Sequence, residues 1–288
     1  MKQKPIHYIA FLSPTMVLFL LVFALPLCVL FMTSLCDWRT GGAIAFAGLK
    51  NYITLMKDDT FRQAFLNNVV WILLQSTLHI AIGVLFALIL AKRPFFWKFA
   101  RTAYMIPSII SSAAMGMLFL CIFNPEFGMV NSVVRLFKPG FSQNWFMDYT
   151  TAFFTVTMTW LPYAAITTLL VLTEITSIDR SILEAAIIDG ASDVQLDAKI
   201  ILPLLKNIIG TSMILEATGM LKKMDIIMLT TRGGPGATTM NLPYFVYKTS
   251  MVENNFGLAN AAGVILILLG IVAVRIINRL FSIGEGNG

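Results

Sequence analysis

Acidic side chains are scarce in this chain, and two groups of them stand where charge needs a reason. The first is Glu184-Ala185-Ala186 with Asp189-Gly190-Ala191, followed by Ile200 and Leu202-Pro203. This run is a small polar island between two long apolar segments. Acids, small alanines and a turn glycine suit a short, flat helical handle that a partner protein can grip. The second group is Glu216, Lys222, Lys223 and Asp225, set inside an otherwise apolar stretch. Charges in such surroundings are costly and must face a cavity, a partner or one another. Glu216 can accept hydrogen bonds from a polar solute, or pair with a polar group on a neighbouring helix. Lys222 and Asp225, three apart, can pair on one helix face. Lys223 points elsewhere.

Fainter candidates complete the set. Trp160 and Tyr163, with Pro162, fall within an apolar stretch. Their rings could stack on an apolar ligand face, and tyrosine adds a hydroxyl. Packing in a core or against lipid is an equal use for both. Asn260, Asn67 and Asn68 are polar groups at the starts of apolar stretches. His79 reads as a packed or inter-helix hydrogen-bonded residue, and neither it nor His7 has an acid or thiol at catalytic spacing. The three cysteines, Cys28, Cys36 and Cys121, make neither a disulfide framework nor a metal site. No catalytic residue and no metal ligand set is expected. The chain has no Gly-x4-Gly-Lys-Ser/Thr loop, and Gly233-Gly234-Pro235-Gly236 lacks the lysine. No cofactor is therefore expected on this chain.

The elements that must position these residues are membrane helices. Hydrophobic residues make up 57% of the chain and charged residues 12%, about half the usual soluble share. Five uncharged stretches reach the roughly 20 residues a bilayer needs: 8–36, 63–91, 102–125, 149–173 and 254–274. A sixth, 207–228, is interrupted by the Glu216 group. The first is too long for a signal peptide and reads as a retained helix. The expected fold is all-α, a polytopic membrane protein of six transmembrane helices. Loop charge, led by Lys92, Arg93, Lys98 and Arg101 in one short loop, places both termini and the handle in the cytoplasm. The same rule accounts for the net charge of +6, so no nucleic-acid partner is implied. Residues 1–62 read as a first helix with an outer loop, and 63–288 as a five-helix core carrying the handle at about 178–203.

Local rules shape the handle. Arg180 and Glu184 are four apart, a favourable pair. Gly190 suits the left-handed position that ends a helix. Ser192 and Gln195 spell a capping box for a second helix. Pro203 fits the first turn of a new one.

These residues resemble a known family. Glu184-Ala185-Ala186, Asp189-Gly190-Ala191 and Ile200 with Leu202-Pro203 match the EAA motif of permease subunits of binding-protein-dependent ABC importers. Further segments are similar to the carbohydrate branch, the maltose and glycerol-3-phosphate type permeases. They include Phe46-Ala47-Gly48-Leu49-Lys50-Asn51-Tyr52, Ala64-Phe65-Leu66-Asn67-Asn68, Phe123-Asn124-Pro125, Gly233-Gly234-Pro235 and Gly257-Leu258-Ala259. Three positions depart from the family pattern. Asp197 stands where an aromatic is usual, Asp179 where a proline is common, and Glu174 where a small residue is common.

The resemblance implies a type I ABC importer permease architecture in a bacterial cytoplasmic membrane. It implies a second permease subunit (a heterodimer), two ATPase subunits holding ATP and Mg, and an extracellular solute-binding protein. Glu184, Ala185, Ala186, Asp189, Gly190, Ala191, Leu202 and Pro203 would then couple to the ATPase. Glu216, Trp160, Tyr163, Lys222 and Asn260 would line the path of a sugar or oligosaccharide. The same architecture could carry another solute, such as a sugar phosphate. An intramembrane enzyme would need paired catalytic groups that the sequence does not offer, and a secondary transporter two matching halves.

Overall fold

The computed structural model describes residues 5–281, with side chains from residue 11 onward. Lys2, Lys4 and both termini lie outside the described residues, as does the side chain of His7. The described chain is mostly helical. Its strands are one antiparallel ribbon of β1 (Cys36–Asp37) and β2 (Ala45–Phe46).

The six apolar stretches are all helical, but only the first, second and last are unbroken. Helix α1 (Phe11–Ser34), α3 (Asp59–Ala91) and α14 (Phe256–Phe281) are each long and apolar enough to cross a bilayer. Short α2 (Lys50–Lys57) precedes α3. In α1, apolar side chains are exposed all round, as in a helix meant for lipid or a partner rather than water.

The third stretch differs from the single helix expected. Helices α4 (Trp97–Ile109) and α5 (Ser112–Ile122) meet at 105°. Ile110 and Ser111 are extended, and Ser111 Oγ caps α5 by accepting from Ala114 N at 3.3 Å. Pro107, lacking an N–H, already weakens the last turn of α4. The short helix α6 (Met129–Arg135) comes next.

The fourth stretch also breaks, into α7 (Ala152–Met158) and α8 (Ala165–Ser177). Trp160, Pro162 and Tyr163 therefore sit in a turn and not within a helix. The i→i−3 bonds Trp160 N to Thr157 O and Tyr163 N to Trp160 O tighten it, and Pro162 has no N–H to continue the ladder.

The fifth stretch divides into α11 (Lys206–Met220) and α12 (Asp225–Thr230). Lys222 falls in the break, so it does not share a helix face with Asp225, and no ion pair joins them among the described residues. Before α11 come α9 (Arg180–Ile188) and α10 (Asp193–Leu204), with a bend of 67° between α10 and the Lys206–Thr230 segment. By length and composition, three single helices could cross a membrane, or up to five if each of the two sharply bent pairs counts as one span.

Two compact units emerge. One is the chain up to Arg62 together with Phe245–Leu268, including the end of α13 (Leu242–Tyr247) and the start of α14. Here Asn51 Nδ2 donates to Ser34 O and Cys36 O at 2.9 and 2.8 Å, and Tyr52 OH bonds Ser34 Oγ at 2.8 Å. A Cβ on Gly257 would lie 2.2 Å from Cys36 O, so only glycine fits. Asn260 belongs to this unit, donating to Thr33 Oγ1 at 2.7 Å.

The other unit is Gln63–Tyr244 with the chain from Leu269. Its core packs Ile80, Val84, Ala87 and Leu90 of α3 against Val171, Leu172 and Ile175 of α8, with Ile201 and Leu205 beneath the handle. The two helices lie close at Gly83, where a Cβ would sit 2.7 Å from Thr167 Cγ2. Thr168 Oγ1 donates across the contact to Gly83 O at 3.1 Å. Asn67 and Asn68 fasten the 231–242 loop: Asn67 Nδ2 donates to Met240 O at 2.8 Å, and Asn68 Oδ1 accepts from Leu242 N at 2.7 Å.

Candidate functional site: a polar cavity and an exposed handle

The breaks in three stretches converge on one cavity of about 280 Å³. Gln75 and His79 of α3 form one wall, Trp160 and Tyr163 another, Glu216 and Lys223 a third, and the α4–α5 elbow around Ser108 a fourth. A π turn over Gln75–His79 shifts the register of α3 where these two side chains leave it.

Glu216 is the fixed point. Gln75 Nε2 donates to its Oε2 at 2.5 Å, and His79 Nε2 stands 3.5 Å from the same oxygen. His79 Nδ1 lies 2.8 Å from Leu161 O. A carbonyl only accepts, so Nδ1 carries a hydrogen. Lys223 holds its ammonium 4.8 Å from the centre of the Trp160 ring, a cation–π contact. Trp160 Nε1 and Gln75 Oε1 are both buried without a hydrogen-bond partner among the described residues, and both residues line the cavity. A donor, an acceptor, a carboxylate and two aromatic faces can together hold a polyhydroxylated solute.

Of the residues singled out from sequence, Glu216, Trp160 and Tyr163 come together here. Lys222 and Asn260 are not among the lining residues. Gln75, His79 and Lys223 are, and the sequence carried only one signal for them: polar groups inside apolar stretches.

The handle forms by the expected local rules. Asp179 caps α9, its carboxylate accepting from Ser181 N at 3.0 Å, and that bond holds its pKa below the usual carboxylate range. Gly190 has φ +85°. Gly190 N bonds Ile187 O and Ala191 N bonds Ala186 O, both at 3.0 Å, which is the Schellman pairing. The Ser192–Gln195 capping box is present. Arg180 and Glu184 do not form an ion pair among the described residues. Asp197 turns back to Lys92, 2.8 Å away, which raises the lysine's pKa and ties the handle to the end of α3. A π turn over Asp197–Ile201 leads to Leu202–Leu204, which contains Pro203. Ile187, Ile188 and Val194 are exposed, an apolar face without cover among the described residues.

A helical protein too apolar for water, with broken helices around a polar cavity, is a membrane transport component. Residues 79–282 match the family described as "Binding-protein-dependent transport system inner membrane component", and the chain belongs to that family, whose members are non-enzymatic permeases. It is 28% identical over 294 residues to the probable ABC transporter permease protein YurN of Bacillus subtilis, covering 99% of this chain and 98% of the relative. It is 28% identical over 283 residues to the arabinooligosaccharides transport system permease protein AraP of the same organism, covering 96% and 89%. A chain in the crystal structure of a bacterial alginate ABC transporter, in complex with an alginate pentasaccharide-bound periplasmic protein, superposes with TM-score 0.82. At 20% identity, and covering 94% of this chain and 92% of that one, that likeness establishes the shared fold.

Proposed function

We propose that this chain is the permease subunit of an ATP-driven importer of a sugar or oligosaccharide, and that the Glu216 cavity lies on the solute path. The observation that carries the reading is the pair of buried, unpartnered groups, Trp160 Nε1 and Gln75 Oε1, beside Glu216 and Tyr163 in one cavity. Relatives named for arabinooligosaccharide and trehalose/maltose transport support the solute class. The chain crosses a bacterial cytoplasmic membrane six times with both termini inside. Residues 1–62 precede the five-helix core of 63–288. A different permease chain completes the pathway, two ATPase subunits bind ATP and Mg, and an extracellular binding protein delivers the solute. The exposed face of α9 and α10 docks on the ATPase. Val194 takes the outward role that Asp197, turned to Lys92, does not.

Lys223 favours a second solute class, sugars bearing an acidic group such as a phosphate, because its ammonium stands at the cavity wall over the Trp160 ring, with the Glu216 carboxylate acting on it from the same cavity and no ion pair formed among the described residues.

The test is uptake of labelled sugars by the complex in proteoliposomes. Glu216→Ala and Trp160→Ala should each lower uptake at least tenfold while ATPase subunits stay bound and basal ATP hydrolysis persists. Unchanged uptake kinetics in both variants would remove the cavity from the path.

A further inference from the structure

A second pocket, about 570 Å³, opens between the end of α3, the start of α4, the end of α8 and the start of α9. Arg93, Arg101 and Arg180 line it, as does Trp97. Its inner wall is apolar and includes Leu169, Leu172 and Ile175. Leu172 and Ile175 belong to the α3–α8 core, so this wall runs from the charged rim into the hydrophobic body of the protein.

None of the three arginines takes part in an ion pair among the described residues. Adjacent Lys92, by contrast, is engaged by Asp197 at 2.8 Å and Asp193 at 3.9 Å. The guanidinium of Arg93 lies 5.8 Å from the Trp97 ring centre. The bias of basic residues toward one membrane face explains why arginines are numerous here. It does not explain why three of them surround one hollow without an acid. Like charges gathered around a cavity repel unless an anion sits among them. Guanidinium groups match phosphate oxygens in pairs. The apolar wall asks in addition for hydrocarbon. An anionic head joined to a hydrocarbon chain, at the border between charged loop and apolar helix, is a lipid of the bilayer.

We propose that this pocket binds the phosphate of an acidic phospholipid, with an acyl chain against Leu169 and Leu172. The proposal does not depend on the solute assigned to the Glu216 cavity.

The test uses the protein purified in detergent with the chains that accompany it. Thermal unfolding is followed with phosphatidylglycerol, phosphatidylcholine or glycerol 3-phosphate added. Phosphatidylglycerol should raise Tm by roughly 2–4 °C, and phosphatidylcholine should not. The rise should vanish in Arg101→Gln/Arg180→Gln and persist in Lys98→Gln, an exposed cation of the same segment outside the pocket. Arg101→Lys, which keeps the charge and loses the paired donors, should keep part of the rise. Phospholipid phosphorus bound per protein should fall in the double Gln variant. Equal shifts from both lipids, a full shift in the double variant, or a full shift from glycerol 3-phosphate alone would each overturn the assignment.

Discussion

At the residue scale, the energetics of the cavity turn on how Glu216 is held. Its side chain is only 16% exposed, so each donor to it matters more than on a surface. Hydrogen bonds to charged groups contribute about 1.5–3 kcal/mol. Gln75→Leu should therefore destabilise the solubilised protein by about that amount, measured as a drop in Tm. If Gln75 acts through Glu216, the double variant Gln75→Leu/Glu216→Leu should cost less than the sum of the two singles. Strict additivity would mean that the contact between them carries no coupling. That Glu216 needed a partner was legible in sequence, because a lone charge in an apolar stretch is costly. Which partner it has was not legible. Gln75 and Glu216 are 141 positions apart, and only the packing of α3 on α11 joins them. Lys222 misled for a related reason. Its spacing from Asp225 presumed a continuous helix that the structure breaks between them.

At the element scale, the handle and the α3–α8 contact show two kinds of legibility. Gly190, Ser192 and Gln195 act on neighbours within five residues, so their pattern in sequence is already their structure. Gly190→Val should strain the left-handed turn without disturbing the core, since open space surrounds its Cβ position. The expected outcome is a helical, folded chain that retains less ATPase on purification. Full retention with normal uptake would count against the handle as the docking element. Gly83 is the opposite case, a glycine in an apolar run whose role appears only when α8 lies against it. Gly83→Val places side-chain atoms where Thr167 stands and should cost about 1–3 kcal/mol by overpacking, read as a lower Tm. An unchanged Tm would mean that α3 and α8 can separate freely. The broken spans had signals in Pro107, Ser111 and Pro162. A count of apolar residues does not register them, because a bent helix is as apolar as a straight one.

At the scale of the whole molecule, the number of crossings rests on the bent or interrupted segments, two of which lie between α3 and α9 and one after it. Helix α8 has 13 residues, about 20 Å at 1.5 Å per residue, against about 30 Å of hydrocarbon. It crosses only if α7, the 159–164 turn and α8 together make one span. Likewise α4 and α5, at 105° to each other, either cross as one bent span or dip in and return. Backbone that is not helical at membrane depth is tolerated where it lines a cavity, and the 159–164 turn does so through Trp160 and Tyr163. Six crossings then require alternation: Phe95 inside, Lys138 outside, Ile188 inside. With Cys28, Cys36 and Cys121 replaced, a single cysteine is placed in turn at Phe95, Lys138 and Ile188, all three exposed. A membrane-impermeant maleimide should label Lys138→Cys on intact cells, and Phe95→Cys and Ile188→Cys only on inside-out vesicles. If Phe95→Cys and Lys138→Cys react from the same side, the α4–α5 elbow is re-entrant. If Lys138→Cys and Ile188→Cys do, the α7–α8 segment is. Either result would end the six-span reading, and the second would also take Trp160 and Tyr163 off a path through the membrane.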